Sequence, residues 1–213
     1  MSNNSFSLEK ILSALKNNEI DVKMAYNSAF GLLFDSNYDS MLIKNLGISR
    51  PKEELKRLLD EGISKICIGL DRYAKKDKEL LLKIDSNITE KLRYEGANML
   101  TISFVQRDGE SKGTYNCVTY ADLFFLSLLK LGKVDLLHAG GVVNQPQHVF
   151  MVFKVNDEDI EIGGEKDMYS TRVVGWDELL KVNQSNVGVF ARDTDIMTQE
   201  YAPNYKTGND GYD

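Results

Sequence analysis

The chain has 213 residues, with 32 acidic and 26 basic side chains and a formal charge of −6. Its 42 % hydrophobic and 27 % charged residues suit a folded chain with a sizeable core, not a disordered one. The acidic balance without a Lys/Arg block speaks against nucleic acid as a partner, and two Cys cannot build a disulfide framework or a four-thiolate zinc centre.

Residues 1–7 are polar and no basic segment leads into an apolar one, so no secretory signal is expected and the expected compartment is the cytoplasm, with signal-independent export left open. The richest apolar run, Leu123 to Leu131, falls far short of the roughly 18 residues of a membrane span. No membrane partner is expected. Ser7 is placed to cap a helix carrying Leu8, Ile11, Leu12 and Leu15, the stripe of one buried face. A second helix is expected over 21–34, with Met24, Ala25, Ala29, Leu32 and Leu33. Pro51 suits a first helical position, and a helix is expected over 51–59. The short apolar stretch 63–70 fits helix or strand equally. Residues 75–82 suit a further helix, and 87–99 another, with Gly96 inside it.

From residue 101 the chain turns β-branched and aromatic, and a polar loop follows over 107–114. Cys117 opens a long apolar helix that Gly132 ends. A strand is expected over 134–137 and a loop over 139–147, which contains Gly140, Gly141 and Pro146. The clearest strand is 149–155, joined through a turn at 156–159 to a second strand at 160–162 in an antiparallel hairpin. A short helix is expected over 177–182, a last strand over 186–191, and a polar tail from 194. The order predicts an α+β fold: a helical region over 1–98, a core over 99–193 and a tail over 194–213.

Two Cys and two His leave few pairings for thiol chemistry. Cys67, between isoleucines, reads as a small buried hydrophobe. Cys117 sits where a helix presents free N–H groups and its positive dipole end, an environment that favours a thiolate. His138 reads as a strand-end histidine. His148 opens the strongest strand, where a sheet can aim an imidazole at a thiolate on a facing helix. Such a base needs an acceptor for its second ring nitrogen. Glu161 on the neighbouring strand is the candidate, with Asp159 on the same face as rival. Asn116, Tyr115 and Gln106 stand unranked as oxyanion donors beside the Cys117 N–H.

Gly113-Thr114-Tyr115-Asn116-Cys117-Val118-Thr119-Tyr120-Ala121 resembles the nucleophile segment of the transglutaminase-like, papain-fold superfamily. Pro146-Gln147-His148-Val149-Phe150 and Asp159-Ile160-Glu161-Ile162-Gly163 resemble its next two motifs. Bacterial members show a G-x-Y-N-C start, a P-x-H-V-F middle and an apolar-acid-small end in this order. The likeness covers 101–165. It implies a papain-like core and a triad of Cys117 as nucleophile, His148 as base and Glu161 as third member. It also implies acyl transfer or hydrolysis at an amide bond of a protein or peptide substrate, with no cofactor. A catalytically silent domain of the same fold that binds proteins is the alternative, and a metal site on Cys117, His138, His148 and Glu161 a more remote one.

Overall fold

The computed structural model describes residues 7–96, 98–106, 111–145, 148–163 and 173–185. Helix α1 (Leu8–Lys16) starts where Ser7 Oγ accepts the Lys10 N–H, and it buries the expected Leu8, Ile11, Leu12 and Leu15. Helix α2 (Val22–Ser36) is capped by Asp21. Its buried stripe runs through Ala25, Ala29 and Leu33, and Met24, expected inside, stands beside that stripe with 54 % of its surface exposed. Helix α3 (Ser40–Asn45) follows, capped by Asp39.

Helix α4 (Lys52–Cys67) is longer than the sequence pattern suggests. Pro51 is its N-cap, and the ambiguous 63–70 stretch continues the helix as far as Cys67 because Leu55, Leu59, Ile63 and Ile66 extend one buried stripe. Helix α5 spans Asp77–Lys91. The separate helix expected over 87–99 does not exist: Asn87 and Ile88 belong to the last turns of α5, and the chain then extends as β1 (Leu92–Tyr94). Pairing overrides propensity here, since β1 lies parallel to β2 (Gly113–Tyr115). Residues 100–102 form a single 3-10 turn despite their β-branched composition, and the Ser103 carbonyl just beyond it accepts the Thr114 N–H of β2.

Helix α6 (Cys117–Lys130) is the centre of the molecule. Every residue from Val118 to Leu129 is buried, and the helix packs against α2, α4, α5 and the strand His148–Val155. Gly132, at φ +67°, ends it as expected. Residues 134–137 are not a strand but part of α7 (Val134–His138), a short helix that buries Leu136 and Leu137. The expected loop at 139–147 holds β3 (Gly140–Gln145). Its two glycines read as breakers in the sequence, yet they serve close packing: a side chain at Gly140 would meet the Phe153 ring, and one at Gly141 the Val174 backbone.

Strand β4 (His148–Val155) and strand β5 (Glu158–Ile162) form the expected hairpin. Its turn is the two residues Asn156 and Asp157, both at positive φ as the twist of a tight hairpin requires. The sheet order is β3-β4-β5, antiparallel throughout. Helix α8 covers 177–185. Trp176, just before it, packs on Phe125 of α6 and Phe153 of β4 and donates its indole N–H to the Leu137 carbonyl at 2.8 Å. The Trp176 N–H is bonded to the Glu9 carboxylate, and the Glu9 N–H to Asp177, so α1 and α8 cap one another. The expected strand at 186–191 and the tail from 194 lie outside the described residues. The fold is thus α+β, with small sheets beside a mostly helical body. None of its described helices is long and apolar enough to cross a membrane.

Candidate active site

Cys117 occupies the first position of α6 and is half-buried. The residue before it fixes that helix start. Asn116 accepts the Thr119 N–H at 2.9 Å, and the Thr119 hydroxyl in turn takes the Asn116 N–H at 2.8 Å, a reciprocal capping box. The Asn116 amide also donates to the Asn98 carbonyl at 3.1 Å, and Asn98 bonds to Thr114 of β2. A buried polar network therefore ties the helix start that carries Cys117 to the β1–β2 pair.

His148 is the first residue of β4. Its Nε2 lies 2.8 Å from the carbonyl oxygen of Gly163, the residue after β5. A carbonyl can only accept, so Nε2 carries the proton and, in the neutral ring, Nδ1 is the nitrogen able to take one. Phe150, two residues along the strand on the same face, stacks on the imidazole with centroids 6.0 Å apart. Gly163 adopts φ +77°, and a Cβ there would sit 3.0 Å from the Tyr120 ring. Glycine is what lets this carbonyl turn toward the imidazole.

Cys117 and His148 line the same cavity, of about 180 Å³. Its far wall comes from the helical first half of the chain. Asp85 and Thr89 of α5, with Tyr94, Tyr115, Tyr120, Val149 and Gly163, complete the lining. The Tyr120 hydroxyl donates to Asp85 at 2.6 Å, and Tyr115 meets Tyr94 edge-on and Tyr120 at a tilt, each with centroids 5.6 Å apart. Burial first, then the hydrogen bond to Asp85, pushes the Tyr120 phenol far above its ordinary range. Burial also raises Tyr115, helped by the charge of Asp85.

The other sequence candidates separate cleanly. Glu161 pairs across the hairpin with Val152, four residues along β4 from His148, and its exposed side chain does not line the cavity. Asp159 pairs with Lys154, farther still. His138 ends α7, exposed and outside the cavity. Cys67 ends α4 with its Sγ 3.7 Å from the Ser127 carbonyl, and burial pushes its thiol up to about 11. The four residues of the metal alternative are not brought together, and among the described residues no three His, Cys, Asp or Glu side chains gather as a cation site. Of the three oxyanion candidates, Asn116 is consumed by its cap and Gln106 bonds to Ser111, whereas Tyr115 lines the cavity. Asp85, Thr89 and Tyr94 carry no signal in the sequence, because an acid, a threonine and a tyrosine in a charged helical stretch read as solvated surface.

No family model, curated protein or solved structure matches the chain.

Proposed function

We propose that the protein performs cysteine-dependent acyl transfer or hydrolysis at an amide bond, on a transglutaminase-like, papain-like core, with Cys117 as nucleophile and His148 as base. The observation that carries this reading is that the helix-start thiol and the strand-start imidazole line one cavity, with the ring held by the Gly163 carbonyl. His148 Nδ1 takes the thiol proton, and the Cys117 sulfur attacks the amide carbonyl carbon. The tetrahedral oxyanion is met by the Cys117 N–H at the positive end of α6. The C–N bond breaks, the amine leaves with the proton from His148, and a thioester remains. Water then releases a carboxylate, or a second amine a new amide.

The orienting role that the sequence suggests for Glu161 passes in this reading to a backbone carbonyl. A carbonyl orients the ring and fixes its tautomer, but it stabilises the imidazolium less than a carboxylate does. The substrate is a protein or peptide.

Labelling of Cys117 by iodoacetamide across pH, in wild type and His148→Ala, tests the proposal. Wild type should label about tenfold faster than the variant at pH 7. Equal rates that both titrate near the free-thiol value of about 8.5 would overturn it.

A further inference from the structure

The cavity around Cys117 has a charge and shape that the thiol–imidazole pair does not require. Asp85 is its only carboxylate, and none of the nine described residues lining it is a lysine or an arginine. One Asp85 oxygen accepts from Tyr120, and among the described residues no lysine or arginine forms an ion pair with the carboxylate. The tyrosines form a continuous aromatic wall beside it. Tyr94 stands at the mouth with 58 % of its surface exposed, Tyr115 lies half-buried behind it, and Tyr120 is buried at the back. A carboxylate flanked by phenol rings is the combination that attracts a positive charge, through the ion pair and through the negative faces of the rings. Its volume of about 180 Å³ is below that of sites for drug-sized molecules and suits one extended side chain.

We infer that this cavity recognises a cationic side chain, a lysine or arginine of a peptide substrate, held against Asp85 and the faces of Tyr94 and Tyr115 while the neighbouring amide carbonyl lies at Cys117. The inference rests on the acyl-transfer reading for the position of the carbonyl. The aliphatic stem lies along the tyrosines and the charged head ends at Asp85. Tyr120 contributes by orienting the carboxylate from below rather than by touching the substrate. A negatively charged residue at the same substrate position is repelled.

Two affinity labels of one length test this, peptidyl acyloxymethyl ketones that differ only in carrying lysine or the neutral isostere norleucine next to the reactive ketone. The readout is the ratio of their second-order rates at Cys117, mapped by mass spectrometry. Wild type should favour lysine by about five- to tenfold, the worth of one partly exposed ion pair with a cation–π contact. Asp85→Asn keeps an acceptor for the Tyr120 hydroxyl and should bring the ratio close to one. Thr89→Lys, one helical turn away on an exposed position, should bring it below one by placing a cation at the cavity, which keeps the test open if the first variant is poorly folded. Asp135→Asn, an exposed acid on α7, controls for the overall negative field and should leave the ratio as in wild type. A ratio near one in wild type, or a lysine preference that survives both cavity variants, overturns the inference. Failure of the acyl-transfer reading looks different, since both labels would then react as slowly in wild type as in His148→Ala.

Discussion

Glu161 and Gly163 lie two residues apart, and the register of the hairpin decides between them. With Val152 opposite Glu161, the carboxylate points outward along the sheet while the chain just beyond β5 bends its backbone carbonyl to His148. Glu161→Gln should therefore change Cys117 labelling by less than about twofold, as an exposed substitution does. Gly163→Ala should do more. An alanine at φ +77° is strained and its methyl crowds Tyr120, so the carbonyl shifts and His148-dependent labelling should fall by about tenfold. Cys67, with its thiol pushed up to about 11, should stay unlabelled at pH 7 in the same experiment, and peptide mapping reads both thiols at once. At this scale Cys117 and His148 are legible because scarcity leaves few partners to pair. Gly163 is not, because a backbone acceptor leaves no side-chain signature. Asp85 is not either, being one of 32 acids in the chain.

Among the elements, those with strong local chemistry follow the sequence: the Ser7 cap and the apolar α6 stand where their residues predict, and the β4–β5 turn falls within the expected 156–159, shortened to Asn156 and Asp157 because β5 starts at Glu158. The departures are short segments whose partners lie elsewhere in the chain. β1 is extended because β2 pairs with it, and β3 is a strand because two glycines let Phe153 and the Val174 backbone approach. A window of local residues contains neither fact. The cap of α6 offers the clearest energetic test. Asn116→Ala removes the acceptor for the Thr119 N–H and the donor for the Asn98 carbonyl, both in buried surroundings. Urea denaturation should show a loss of about 2 kcal/mol. Cys117 labelling should fall with it, because the same cap aims the first turn.

The molecule as a whole is organised around α6, which draws its packing from both halves of the chain. A division between 98 and 99 separates β1 from β2, which pair, and Asp85 from Cys117, which share a cavity. A buried polar relay crosses the same division. Asn37 of the first half accepts the Thr101 N–H and donates to Asn183 of α8, and Asn183 donates to Asp122 of α6. Asp122 has no accessible surface and its Oδ2 has no hydrogen-bond partner among the described residues, and burial holds its carboxyl well above the usual carboxylate range. In the unfolded chain an aspartate ionises near about 3.9. As pH rises above that, the unfolded state sheds the proton and the native state keeps it, so this group lowers stability with rising pH until it ionises in place. Asp122→Asn removes that slope. Urea denaturation at pH 4.5 and 7 should show the variant gaining stability relative to wild type at the higher pH, and an unchanged difference between the two pH values would contradict this assignment.

The mutual capping of α1 and α8 also bears on how the chain is made. The Glu9 N–H obtains its acceptor from Asp177, so α1 emerges from the ribosome with an end that cannot be completed until nearly all the described residues have followed. The cavity has the same dependence: its wall from α5 and its thiol are synthesised well before His148 and the Gly163 carbonyl arrive. Nascent chains arrested before residue 163 should accordingly leave Cys117 accessible to a bulky maleimide and the early helices open to protease. Chains arrested far enough beyond 185 to clear the exit tunnel should protect both. Synthesis itself thus keeps Cys117 apart from His148 until the fold that brings them to one cavity is complete.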